Sequence, residues 1–456
     1  MKYRNTDNWK NEMKKLAKAK GVDIPSMQQR FILEEFAKKI GSSPYGDRLI
    51  LKGGFIVSTL LGMDTRTTRD LDVTCRTTIY DISEMENIVK KVLKTIGVLL
   101  GFIVVIVLGY IIYLYASYHR IEDNKSLSVE SHTETKQTLT TGKQYSAITY
   151  NIGFGAYTPD FSFFMDGGKS SWAKSKKSVL KTVKNAGNLT KSYDPDFALI
   201  EEVDLNSTRS YHVNEYSILK KCLKNYDTVF AQNYDSAFLF YPFTQPHGSS
   251  KAGLALFSRY PIKDSLRRSL PISTSYNKFF DLDRCYSISR IPVDNGKYLV
   301  IFQLHMSAYG NSDKIRKGQI RMLSADMKKE YEAGNYVLCG GDFNHDLKAA
   351  EDDDSTDRES WAYPFPRNML PEHFSFCMDQ LPKKENLWNS SRNADMKYIP
   401  GKTYTVTLDG FIISDNVKCD MYKNINTGYS YSDHDPVYVK FELNKESVLN
   451  KFKLKN

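Results

Sequence analysis

Tyr336-Val337-Leu338-Cys339-Gly340-Gly341-Asp342-Phe343-Asn344 is the stretch from which the rest of the chain is read. Its first four residues form an apolar run of strand type. Two glycines follow, and a sharp turn is expected there because glycine accepts backbone angles that a bulkier residue does not. Asp342 and Asn344 stand two apart, so an extended segment presents both on one side. A carboxylate beside a carboxamide at a strand end suits activation of water next to a metal-bound phosphate. The plainer reading of the same residues is a strand closed by an Asx turn.

Working outward, other apolar runs also end in polar residues. Ser146-Ala147-Ile148-Thr149-Tyr150 ends in Asn151, and Phe197-Ala198-Leu199-Ile200 ends in Glu201-Glu202. Residues 298–304 lead to His305, Asp409 lies within the run 405–413, and Asp433-His434 precede the last strand, Val437-Tyr438-Val439. In layered α/β proteins such ends collect into one site. Singly, each residue has an ordinary role. Asn151 caps a turn, Glu202 is solvated, His305 sits satisfied in a core and Asp433 shapes a loop.

Taken in this order, Tyr150-Asn151, Glu202, Gly341-Asp342-Phe343-Asn344, Leu408-Asp409-Gly410-Phe411 and Ser432-Asp433-His434 resemble the endonuclease/exonuclease/phosphatase superfamily. The resemblance spans about residues 144–443 and implies a deoxyribonuclease-I-like, four-layer α/β/β/α sandwich. It implies that Glu202 is the main ligand of Mg2+, helped by Asn151 and Asp433. Mn2+ or Ca2+ suits the same hard oxygen ligands. It further implies that Asp342 positions or deprotonates the attacking water and that Asn344 orients the scissile phosphate. It implies that His434 contacts the phosphate and is, with Asp342, one of two candidates for the base, Asp409 fixing its tautomer and raising its basicity, and that His305 donates to a phosphate oxygen. Glu201 stands where the superfamily often has glutamine, and Met306 follows His305 where leucine is common.

The chain before this domain is of another kind. Lys52-Gly53-Gly54 and Arg66-Thr67-Thr68-Arg69-Asp70-Leu71-Asp72 pair a glycine turn with two carboxylates on one strand face. They resemble the start of the nucleotidyltransferase fold of the AbiEii/AbiGii toxin family, over about residues 25–80. The third carboxylate and the helical region of that family are missing, so residues 1–84 are expected to be a truncated, inactive α/β fragment. Residues 96–115 are continuously apolar, the length of one membrane-spanning helix, within an anchor of residues 85–120. Lys90, Lys91 and Lys94 precede the run, which favours a single pass with a cytoplasmic N-terminus and an extracytoplasmic catalytic domain. Residues 121–143 are polar and are expected to form a flexible linker to the domain at 144–445, which ends in a basic tail, 446–456.

The 456 residues carry a net charge of +10, but from Gln144 onward the balance is only about +4, so no concentrated nucleic-acid face is indicated. Six cysteines without paired spacing argue against a zinc site or a disulfide framework. The aromatic clusters 161–164, 279–280 and 361–365 are expected to be packing rather than ligand surfaces, and the acidic run 351–354 a solvated loop. The reading is a membrane-anchored, metal-dependent phosphoesterase acting on nucleic acid, a phospholipid head group or a small phosphodiester, with no protein partner expected. Two other classes remain in view: a catalytically silent binding module on the same fold, and a nucleotidyltransferase toxin acting through Asp70 and Asp72.

Overall fold

A computed structural model describes residues 6–44, 46–54, 56, 71–75, 82–132, 138–279, 281–308, 313–349, 362–380 and 387–445. The chain divides into two units, residues 1–109 and 110–456.

In the first unit, helices α1 (Thr6–Lys20) and α2 (Ile24–Gly41) are joined by a short turn. Asp23 caps α2, its carboxylate accepting the Ser26 N–H at 2.9 Å. Their shared core is small: Met13, Ala17 and Met27, with Trp9 and Phe31 edge to face against it. Strands β1 (Leu49–Lys52) and β2 (Asp72–Cys75) pair antiparallel, with Lys52 opposite Asp72. Asp70 and residues 66–69 lie outside the described residues.

Helix α3 (Ile82–Ser117) has 36 residues, well beyond the expected span of 96–115. Its residues 85–117 are long and apolar enough to cross a membrane. Side chains of the apolar run such as Val98, Phe102, Val105 and Leu108 are exposed, as a helix facing lipid requires.

The second unit begins with the last turns of α3, where Leu114 is buried against Leu239 and Phe279. The expected flexible linker at 121–143 is corrected here. Lys125–Ser126 (β3) and Val129–Glu130 (β4) form short edge strands, one on each of two sheets. Arg120 pairs with Asp283 at 3.0 Å, and Leu139 is fully buried with its N–H on the Pro292 carbonyl. Backbone pairing holds this polar segment to the sheet edges, with Leu127, Val129 and Leu139 packed on the core as its few apolar anchors. Residues 133–137 are outside the described set.

The central strands are apolar at nearly every position because both of their faces are covered. Strands β5 (Gln144–Asn151) and β6 (Phe197–Asp204) run parallel. Helix α4 (Lys176–Ser192) connects them, and α5 (Glu215–Cys222) follows β6. Next come β7 (Asp227–Asp235), β8 (Lys251–Ser258), β9 (Asp264–Ser269), β10 (Cys285–Pro292) and β11 (Tyr298–His305). Helix α6 (Asp313–Glu332) crosses over to β12 (Tyr336–Asp342), parallel to β11. Then follow β13 (Phe374–Phe376), β14 (Ser391–Arg392), β15 (Thr405–Val406), β16 (Asp409–Ser414), β17 (Val417–Asn424) and β18 (Val437–Leu443).

Two seven-stranded sheets result, ordered β13-β16-β12-β11-β10-β9-β3 and β17-β18-β5-β6-β8-β7-β4. Alternate residues serve different cores. Ala147, Phe197 and Leu199 join Phe302, Leu338 and Phe411 between the sheets. Ile148, Tyr150, Ala198 and Ile200 pack under α4 and α5 with Val179, Val183 and Leu219. Ile320, Leu323 and Met327 of α6 cover the other sheet, which completes four layers, α/β/β/α.

The expected sharp turn at Gly340-Gly341 is also corrected, because both glycines lie inside β12. A Cβ on Gly340 would stand 2.4 Å from the Phe411 ring, and one on Gly341 2.0 Å from the Leu304 carbonyl oxygen, at φ +143°. Close approach of neighbouring strands, not a bend, demands glycine here. Phe161, Phe163, Phe279 and Phe365 are buried, in line with the packing reading, whereas Tyr363 is exposed. Phe280, Trp361, the acidic run 351–354 and the tail 446–456 fall outside the described residues.

Candidate active site

Strand register brings the predicted residues together. Asn151 ends β5 opposite Glu201, His305 ends β11 opposite Asp342, and Asp342 ends β12 opposite Asp409, the first residue of β16. Glu202 leaves the regular ladder. The pairing of β6 with β8 slips between Ile200 and Val203, and Glu202 takes the left-handed φ of +55°. A non-glycine residue holds that conformation only when its surroundings enforce it, and such strain clusters at functional sites.

Asp342 lies at the centre and is buried. Its Oδ2 accepts from Asn151 Nδ2 at 3.1 Å and lies 3.5 Å from His305 Nε2 and 3.8 Å from His434 Nε2. Its Oδ1 accepts the Asn344 N–H at 2.8 Å, so the Asx turn of the plainer reading is present within the same constellation. Burial raises the Asp342 pKa to about 7, with the nearby His434 opposing the rise and Asp409 adding to it.

His434 Nδ1 is 2.7 Å from Asp409 Oδ2. Burial disfavours the charged ring, but the carboxylates of Asp409 and Asp342 outweigh it and hold the His434 pKa well above the usual value. His305 goes the other way. It is buried, its Nδ1 has no partner among the described residues, and desolvation followed by the positive charges of Arg284, His434 and Arg209 keeps it neutral. Glu202 is more open than Asp342 or Asp409, its side chain 22 % exposed. Burial and then repulsion from Asp433 raise its pKa, which means the two carboxylates share one end of the cleft.

The structure therefore collects all eight predicted residues at one end of the sandwich, with two refinements. Asn151 turns its amide nitrogen towards Glu202 Oε1 (3.2 Å) and Asp342, while its oxygen accepts the Gly153 N–H at 3.0 Å. Asn344 spends its amide nitrogen on the Met306 carbonyl (2.9 Å) and on Asp342 (3.3 Å). Both asparagines thus brace Asp342.

Three further residues escaped the sequence reading. Ser390 Oγ donates to Asp409 Oδ2 at 2.7 Å while accepting the N–H groups of Leu408 and Asp409 at 3.0 Å each. Ser391 Oγ lies 3.4 Å from His434 Nε2. Asp166 faces Asp433 and Glu202; burial, then those two charges, lift its pKa to about 7. Neither serine ends an apolar run, and Asp166 sits in an aromatic turn, so periodicity carried no signal for them.

Among the described residues, Asp342, Asp409 and His434 form a group whose ligating atoms lie within 4.8 Å of one another. This differs from the Glu202, Asn151 and Asp433 set expected from the sequence. His434 Nδ1 and Asp409 Oδ2 already satisfy each other, and Ser390 adds a second donor. Two members of the trio are thus already joined by a hydrogen bond, with Ser390 bound to one of them.

Two stacked mixed sheets flanked by helices define a deoxyribonuclease-I-like α/β protein. The chain belongs to the endonuclease/exonuclease/phosphatase family, whose sequence model matches residues 148–412, more than half of its length. Residues 36–107 match the Nucleotidyl transferase AbiEii toxin, Type IV TA system, family. No curated protein matches the chain significantly. Solved structures similar to it include an endonuclease/exonuclease/phosphatase from Beutenbergia cavernae, with 16% identity, TM-score 0.48, and coverage of 66% of this chain and 72% of that one. D. rerio TDP2 complexed with single strand DNA product has 17% identity and TM-score 0.45, covering 66% and 99%. A family protein from Bacteroides thetaiotaomicron has 14% identity and TM-score 0.43, covering 66% and 98%.

Proposed function

We propose that this chain is a divalent-metal-dependent phosphoesterase, anchored to a membrane by α3 with its catalytic unit on the extracytoplasmic side. The observation that carries the catalytic reading is the buried Asp342, within 4 Å of two imidazoles of opposite charge preference. The lysines at 90, 91 and 94, ahead of the apolar run, support the orientation.

The donor set fits a hard cation. Glu202, Asp433 and Asp166 offer carboxylate oxygens; burial and then mutual repulsion raise the pKa of Glu202 and Asp166, and a cation would relieve that repulsion. Bound there, Mg2+, Mn2+ or Ca2+ supplies Lewis-acid polarisation of a phosphoryl oxygen. Asp342, with a pKa near neutrality, accepts the proton of the attacking water. Cationic His434, oriented by Asp409 and Ser390, and the neutral N–H of His305 meet the negative charge that builds on the phosphate oxygens. The substrate is a phosphodiester borne by nucleic acid, a phospholipid head group or a small molecule.

The test is hydrolysis of bis-p-nitrophenyl phosphate by the full chain in detergent. Turnover is expected with Mg2+ and not with EDTA, and Glu202→Ala and His434→Ala should each lower it by about 10²–10⁴-fold. Because the base must be ionised, kcat/KM should rise with pH to a plateau above about 7. Metal-independent turnover that survives both substitutions would exclude the reading.

A further inference from the structure

Between β7 and β8, residues 236–250 contain no Asp, Glu, Lys or Arg, yet carry Phe238, Phe240, Tyr241 and Phe243. Leu239 is buried and holds this connection down, while Phe240, Tyr241 and Phe243 are 50%, 63% and 86% exposed. Exposed connections normally avoid such a cluster, and one this apolar marks an interaction surface.

The connection is tied to the last turns of α3. The Tyr110 hydroxyl donates to the Phe238 carbonyl at 3.2 Å and accepts the Phe240 N–H at 3.4 Å. The Phe238 N–H donates to the Tyr113 hydroxyl at 3.0 Å, and the Tyr110 and Phe240 rings meet edge to face at 5.1 Å. The exposed aromatics are therefore fixed beside the point where the apolar run of α3 ends.

We propose that the aromatic loop at 238–243 docks into the interfacial layer of the bilayer that α3 enters, holding the catalytic unit on the membrane surface. The proposal rests on the reading of α3 as a membrane anchor. A bilayer, rather than a second protein, is favoured by the continuity of the patch with α3 and by the absence of any charge in the loop. Phe and Tyr rings settle at this depth, where one end is apolar and the other wet. Lys278, 4.8 Å from the Tyr118 ring, adds a cation at the same end of α3 for headgroup phosphate.

The patch continues towards the cleft. The Tyr241 and Phe164 rings are tilted together with centroids 5.9 Å apart, and Phe164 is followed by exposed Met165 and by Asp166, which faces Glu202 and Asp433. Docking would hold that rim of the cleft close to the headgroup layer.

The experiment uses the full chain in phosphatidylcholine vesicles with Phe243→Trp, and with Met421→Trp as control. Met421 is exposed on β17, at the opposite edge of the sheet from β7. Brominated phosphatidylcholine is expected to remove about half or more of the emission added by Phe243→Trp, and none of that added by Met421→Trp. Quenching of the Phe243→Trp emission by aqueous iodide instead would overturn the proposal. Protection from both quenchers would overturn it too, because a protein surface would then cover the loop. Co-flotation with the vesicles reads the anchor separately: a floating chain without lipid quenching loses the docking alone, and a chain that does not float loses both.

Discussion

Two glycine-and-carboxylate motifs in this chain look alike in one dimension and differ in three. In the first unit, Gly53 turns beside Asp72, an exposed carboxylate on a two-stranded sheet. In the second, Gly341 precedes Asp342, which is buried at the end of β12 in a seven-stranded sheet and ringed by Asn151, His305 and His434. An exposed carboxylate is only a solvated charge. The same group buried where the strand ends of two sheets meet has its pKa raised to about 7 and has fixed neighbours. The second layer turns the motif into a reactive site.

Beyond the central carboxylate itself, the largest effect should come from the imidazole's partner. Asp409→Asn removes the charge that keeps His434 cationic and disturbs its tautomer, so kcat should fall by about 10²–10⁴-fold with the fold intact, as checked by steady-state kinetics beside circular dichroism.

A smaller effect compares the glycines themselves. Gly341→Ala should destabilise the second unit by about 3 kcal/mol, since the new Cβ meets backbone at φ +143° and neither can move. Gly53→Ala meets only the Asp72 side chain, which can rotate away, and should cost about 1 kcal/mol in the first unit. Equal costs in urea titrations would break the comparison.

The smallest effect concerns Glu201, fully buried, hydrogen-bonded to Gln303 at 2.9 Å and Thr149 at 3.1 Å. Desolvation raises its folded pKa well above the usual value. Between the unfolded value, about 4.3, and the raised one, the folded chain holds a proton that the unfolded chain releases, so stability falls as pH rises through that window. Glu201→Gln should remove this loss, giving a higher urea midpoint than the unsubstituted chain at pH 7, similar midpoints at pH 4, and activity within about twofold.

Much of the sandwich was legible because its strands are covered on both faces and their ends are polar. Asn151, Glu202, His305, Asp342 and His434 stood out for that reason, and register then gathered them. Ser390 did not, because its role comes from a loop folded over Asp409. The edge pairing of residues 125–126 and 129–130 was hidden because it is made by backbone hydrogen bonds, which composition does not reveal. The glycines were read as a turn because a strand packed too closely for a Cβ leaves the same letters as a bend.

The most direct measurement pairs Asp342→Asn with Asp72→Asn in the full chain and follows Mg2+-dependent hydrolysis of bis-p-nitrophenyl phosphate. Loss of about 10³-fold or more in kcat/KM for Asp342→Asn, with Asp72→Asn unchanged, is the predicted result. Retained activity in Asp342→Asn, or loss in Asp72→Asn, would contradict the assignment of catalysis to the second unit.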